Sequence, residues 1–229
     1  MADVIGSGIR ERKKVRTREA LIEAATDLCV RRGFDNTTVE QIAAAADVST
    51  RTFSRYFPTK GAVIAAIADD MDVYIAEALA EQPLDITEHE ALLRAHLAVF
   101  GPELSYQTPG FRRMAALIQI VNGSESMKGS AFVHQQGLSQ NSALAVLGRR
   151  MGVAADHPAV RLISDTWTAL FASSFAGLGM PGNDPIEPKV LCDRLAAMFE
   201  LFRRSWSPWR EPRVSRRGNP NPPASASRG

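Results

Sequence analysis

The stretch TTVEQIAAAADVSTRTFSRYFPTK, residues 37–60, decides how this chain is read. It spells two short helices joined by a tight turn. Thr38 with Gln41, or Thr37 with Glu40, fits a capping box, where a hydroxyl and a side chain three residues on satisfy free backbone donors. The first helix then runs through Ile42 and the Ala43–Ala46 run, since alanine forms helix well and lets another helix pack close. Asp47 falls at the turn. Ser49 caps a second helix, Thr50 to about Phe57. Pro58 ends it, because the residue before a proline is pushed out of the α region. Val39, Ile42, Val48, Phe53 and Phe57 supply an inward face. Thr50, Arg51, Thr52, Ser54, Arg55 and Tyr56 are left outward. This is the build of a helix-turn-helix, in which one helix braces and the next enters the DNA major groove.

An ordinary helical hairpin with a solvated polar face has a similar pattern. Two neighbouring features favour DNA. Residues 10–18, RERKKVRTR, form a basic arm just upstream, and Lys60 stands where a phosphate strand passes. Arg51, near the start of the second helix, suits a bidentate bond to a guanine edge, with a phosphate contact as its alternative. Thr50 and Thr52 suit thymine methyls or phosphates. Tyr56 and Lys60 read as phosphate contacts, which set register without reading sequence. Thr38, at a helix N-terminus, offers its hydroxyl and backbone N–H to a phosphate. Gln41, Ser54 and Arg55 complete the candidate DNA-binding set, and Arg12, Lys13, Lys14 and Arg16 of the arm are placed along the backbone or in the minor groove.

The charge is divided along the chain. The net charge of the 229 residues is only +2, yet residues 10–60 hold eleven Lys/Arg against seven Asp/Glu, and residues 61–202 hold nine against sixteen. A basic head and an acidic middle suit a protein whose first domain meets phosphate while the second does something else. With 45% hydrophobic residues the chain can bury a core. No run approaches the ~20 apolar residues of a membrane span, and the first residues lack the apolar block of a secretory signal. Cys29 and Cys192 read as buried thiols, and a reducing cytoplasm is the expected compartment. No Ser/His/Asp set, paired-carboxylate cleft, phosphate-binding glycine loop or metal cluster stands out, so no catalytic residue, cofactor or metal is assigned and the chain is read as a non-enzyme.

Every long segment reads helical, giving an all-α class with about nine helices. Thr17 to Arg32 carries Leu21, Ala25 and Leu28 on one stripe, closed by Gly33. Later helices are expected from Thr59 to Glu81, Glu88 to Tyr106, Gly110 to Val121, Ser130 to Met151, His157 to about Leu178 and Lys189 to Trp206. The parsing is a flexible basic arm (1–16), a helix-turn-helix domain (17–62), a larger helical domain (63–205) and a basic Pro/Ser-rich tail (206–229) whose composition cannot build a core.

From Arg18 to about Met71 the order and spacing resemble the tetracycline-repressor (TetR) family of bacterial transcription regulators. The resemblance rests on Gly33-Phe34, Thr37-Thr38-Val39, Ile42-Ala43, Ala46-x-Val48-Ser49 and Phe53-x-x-Tyr56-Phe57-x-x-Lys60. It departs at Asp47, where the family commonly has Gly; aspartate tolerates the left-handed conformation better than most residues. The resemblance implies a homodimer on a palindromic double-stranded operator, and a second domain holding a small-molecule effector that releases DNA, most simply as a repressor. A helical DNA-binding architectural or adaptor protein without a ligand is the alternative. Phe100, Met114, Leu117, Ile118 and Phe132 are the candidate pocket wall, against a plain core role. Trp167, Ala169, Phe171, Ser173 and Ala176, with Leu191, Leu195, Met198 and Phe202, are the candidate dimer faces, against facing the subunit's own core. His89 and His96, seven apart on one helix, read as exposed or hydrogen-bonded rather than as ligands.

Overall fold

The computed structural model describes residues 2–101, 109–127, 142–180 and 185–205, and those residues form nine helices and no strand. In chain order they are α1 (Ala2–Arg32), α2 (Val39–Ala45), α3 (Thr50–Tyr56), α4 (Lys60–Ala80), α5 (Glu88–Phe100), α6 (Pro109–Asn122), α7 (Ser142–Met151), α8 (Pro158–Phe175) and α9 (Pro188–Ser205). The class is all-α, as the hydrophobic periodicity predicts.

The boundaries follow from side-chain chemistry. Gly33 ends α1 at φ 84°, and its N–H donates to the Cys29 carbonyl at 2.9 Å. Of the two capping boxes the sequence allows, Thr38/Gln41 forms: the Gln41 N–H donates to Thr38 Oγ1 and the Thr38 N–H to Gln41 Oε1. Thr37 is instead buried, its hydroxyl donating to the Gly33 carbonyl at 2.9 Å. Ser49, Thr59 and Thr87 accept the N–H of Thr52, Ala62 and Glu90 and start α3, α4 and α5. His157 caps α8, and Pro158 takes the first turn, where a missing N–H costs nothing.

Two expectations are corrected. The basic arm is not a separate segment: α1 is continuous from Ala2, so residues 10–16 extend the helix expected from Thr17 by about two turns. The helix expected from Glu88 to Tyr106 ends at Phe100, with Gly101 and Pro102 following. The stretch 130–141 and the tail 206–229 lie outside the described residues.

The buried side chains fall into two clusters. Leu21, Ile22, Ala25 and Leu28 of α1 pack with Ile42, Ala43, Phe53 and Phe57 and with Val63, Ile64 and Ile67 of α4. Met71, Ile75 and Leu79 of α4 belong to the other cluster, with Leu92 and Phe100 of α5, Leu147 of α7, Trp167 of α8 and Leu191 and Leu195 of α9. Helix α4 therefore runs through both. So does α6: Met114 and Ile118 sit in the larger core, while Ile120 and, just past its end, Met127 enter the core of the head.

The two cores are also joined by polar contacts. Arg18 of α1 donates to Asp70 of α4 at 3.2 Å; Arg113 of α6 donates to the same carboxylate at 3.3 Å and to Glu19 of α1. These side chains are roughly a third exposed, so the network adds orientation more than stability. Asp35, past the end of α1, accepts hydrogen bonds from Ser124 and Ser126 beyond α6, which hold its carboxyl below the usual range.

Candidate DNA-binding head and buried cavity

The turn between α2 and α3 is closed by backbone bonds. Val48 N–H donates to the Ala43 carbonyl at 2.9 Å and Asp47 N–H to Ala44 at 3.1 Å. Asp47 itself stands at φ 53°, the left-handed region that glycine occupies most easily. Phe53 is 1% exposed and packs at 6.1 Å from Phe57, anchoring the inner side of α3. That anchor turns Thr50, Arg51, Ser54 and Arg55 to solvent. Thr52 and Tyr56 are half-buried. Thr52 Oγ1 lies 3.0 Å from Ser49 Oγ, Ser54 donates to the Thr50 carbonyl, and the Arg55 guanidinium lies 5.3 Å from the Tyr56 ring centroid. Thr38 is exposed at the α2 N-terminus, although its hydroxyl and Gln41 are engaged in the capping box.

Lys60 differs from its expectation as a phosphate contact. Its ammonium donates to the carbonyls of Phe34 at 2.5 Å and Thr37 at 2.7 Å, and lies 4.1 Å from the Phe34 ring centroid. The cation satisfies carbonyls exposed by the turn after α1 and ties that turn to the start of α4. Its spacing to Phe34 is thus explained by the fold of the head.

A cavity of about 750 Å³ opens into the larger core. Phe100, Met114, Leu117 and Ile118, four of the five candidate pocket residues, line it; Phe132 lies outside the described residues. Trp167, Phe171 and Phe175 of α8 and His96 of α5 add an aromatic wall that the sequence reading missed. His96 lies 5.0 Å from Trp167 and 5.3 Å from Phe171, centroid to centroid. It is buried and neutral. Its Nδ1 donates to the Leu92 carbonyl at 2.7 Å and its Nε2 accepts the Trp167 indole N–H at 3.3 Å. Burial pushes its pKa down to about 4. Asn122 spans the wall to the end of α8, donating to the Phe175 and Leu178 carbonyls.

The residues of the expected dimer faces divide into buried and exposed ones. Leu191 and Leu195 are fully buried in their own subunit, and Trp167 is 6% exposed. Phe171, Met198 and Phe202 pack against the same core. Large apolar residues at helical spacing fill the nearest core, and here that core is internal. Of the named residues, Ala169, Ser173 and Ala176 are exposed. The exposed large apolar residues of these two helices are others: Leu162, Val190 and Leu201.

Among the described residues no group of three or more His, Cys, Asp or Glu is placed to hold a metal, and no helix is long and apolar enough to cross a membrane. Burial pushes the Cys29 and Cys192 thiols up.

A capped brace helix, a left-handed turn and an outward polar helix make a helix-turn-helix head. Residues 21–67 match the family model of the bacterial regulatory proteins, tetR family. The chain carries a TetR-family head over those residues. It is 40% identical over 96 residues to the HTH-type transcriptional regulator TcmR of Streptomyces glaucescens. That match spans 42% of each chain, less than half of the curated relative's length. Among solved structures the chain is similar to FadR of Thermus thermophilus, a TetR-family repressor crystallised with lauroyl-CoA. That likeness has 24% identity and a TM-score of 0.47, covering 90% of this chain and 100% of that one. It is also similar to NalD, the secondary repressor of the MexAB-OprM multidrug efflux pump in Pseudomonas aeruginosa. There the identity is 20% and the TM-score 0.45, over 82% of this chain and 96% of that one.

Proposed function

We propose that the chain is a ligand-responsive transcriptional repressor that binds a palindromic operator as a homodimer and is released by a small molecule in the cavity of the larger core. The observation that carries this reading is the sharing of α4 and α6 between head and cavity. Met71 and Ile75 of α4 and Met114, Leu117 and Ile118 of α6 line the cavity, while Ile64 and Ile67 of α4 and Ile120 of α6 pack in the core of the head. A ligand that shifts either helix changes the pose of α3. That is a coupling free energy between two sites, and it is reciprocal: DNA must then weaken the ligand by the same factor.

On DNA, α3 enters the major groove with Arg51 on a base edge, Thr50 and Thr52 beside it, and Tyr56 and Thr38 at phosphates. Lys60 braces the head. The dimer forms through the exposed strips of α8 and α9. Leu162, Ala169 and Ser173 share one face of α8, and Val190, Ala197 and Leu201 share one face of α9, in each case seven and eleven residues on from the first.

Replacing Arg51 by Ala tests the head. On the duplex that wild-type protein prefers, affinity measured by fluorescence anisotropy is expected to fall roughly ten- to a hundredfold, the worth of one bidentate base contact. Weak, salt-sensitive binding to unrelated DNA is expected to change little. An equal loss on all sequences refutes base reading by Arg51 and favours the architectural alternative.

A further inference from the structure

The cavity wall combines two chemistries. One side is aromatic: His96, Phe100, Trp167, Phe171 and Phe175 form a connected set of rings, with Phe171 and Phe175 at 4.6 Å. The lining also carries Asp69 and Asp72, three residues apart on one turn of α4. The remaining ionisable side chain among the described lining residues is His96, which is neutral with both ring nitrogens engaged. Asp72 is held in place, its Oδ2 accepting the N–H groups of Ser142 at 2.5 Å and Ala143 at 3.4 Å at the start of α7.

We propose that the cavity takes an aromatic organic cation: a flat apolar ring system bearing a protonated amine, its rings against the Trp167–Phe171 wall and its ammonium toward Asp69 and Asp72. The proposal rests on the reading of this cavity as the effector site. Two features select different parts of the ligand. The ring faces of Trp167 and Phe171 favour a flat aromatic body stacked or tilted against them. The carboxylates of exposed Asp69 and half-buried Asp72 attract its ammonium by Coulomb force. Burial raises the pKa of both carboxyls, and a neighbouring acid adds to each rise, Asp70 for Asp69 and Asp69 for Asp72, while Arg18 opposes it at Asp69 and the Ser142 and Ala143 N–H groups oppose it at Asp72. A bound cation relieves that repulsion, whereas a carboxylate or phosphate ligand adds to it. The volume suits a drug-sized molecule, which fills roughly 300–1,000 Å³.

Three pyrene probes of one skeleton test the proposal: 1-pyrenemethylamine, 1-pyrenemethanol and 1-pyrenecarboxylate, titrated into the full chain by pyrene fluorescence. The amine is expected to bind at least about tenfold more tightly than the alcohol, a difference of about 1.4 kcal/mol, and the carboxylate most weakly. Asp69→Asn is expected to reduce the amine's advantage. Asp72→Asn, which keeps an acceptor for the α7 N–H groups, is expected to do the same. Equal binding of all three, or tightest binding by the carboxylate, overturns the charge selection and leaves the cavity as an effector site. An amine advantage that survives both substitutions also overturns it. If none of the three binds, the effector-site reading fails and this proposal fails with it.

Discussion

Asp47 shows what one residue decides in the head. The turn needs a left-handed residue between α2 and α3, and at φ 53° aspartate takes the place that glycine commonly holds in the family. The departure from pattern therefore leaves the geometry intact. His96 bears out its reading as hydrogen-bonded rather than as a ligand, and packing supplies the partners: the Leu92 carbonyl on one side and the Trp167 indole on the other. Its folded pKa of about 4 lies below the ordinary value of 6.5, so the unfolded chain binds the proton more readily. The stability that neutral His96 contributes is present above pH 6.5 and is lost as pH falls toward 4. This group alone is expected to lower unfolding stability by about 2 kcal/mol between pH 7 and pH 5. Urea denaturation at the two pH values checks this, with His96→Phe expected to flatten the difference; an unchanged slope in the variant contradicts the assignment.

At the scale of elements, the sequence marks helices better than it marks which way they face. Capping hydroxyls at Thr38, Ser49, Thr59 and Thr87 are readable because their chemistry is local. The partner of an apolar stripe is not local. Leu191, Leu195, Met198 and Phe202 form a clean stripe on α9, and nothing in their spacing separates a subunit's own core from a neighbouring copy. In the structure they fill the subunit's core, and the exposed strip lies on the other side of the same helix, at Val190, Ala197 and Leu201. With Leu162 it leaves apolar side chains in water at the α8/α9 surface, Leu162 being 63% and Leu201 59% exposed. If these strips meet across a two-fold axis, a charge at each should repel its copy and stay solvated in the free monomer. The double variant Leu162→Glu/Leu201→Glu is expected to elute with the mass of one chain while keeping its helical circular dichroism. The wild type is expected to elute as two chains. A variant that stays dimeric places the interface elsewhere.

At the scale of the molecule, the head was legible almost residue by residue and the cavity only by its walls. Local signals (caps, a proline stop, an alanine-rich brace helix) specify the helix-turn-helix within 24 residues. The cavity draws Met71, His96, Met114, Leu147 and Trp167 from five helices, and only the fold brings them together. Phe100, Met114, Leu117 and Ile118 were legible because they fall on the apolar faces of α5 and α6. Asp69 and Asp72 were missed because acids on a long helix normally face water. The same architecture explains how a basic head and an acidic middle work as one device: α4 and α6 each cross from one core to the other. The account stands on this head reading DNA sequence as one half of a symmetric pair. In vitro selection of full-length protein on a pool of random duplexes tests that claim most directly. The expected result is enrichment of a two-fold symmetric site bound by two subunits, with the symmetry-related bases losing their preference in Arg51→Ala; a pool that shows no enriched sequence after repeated rounds contradicts it.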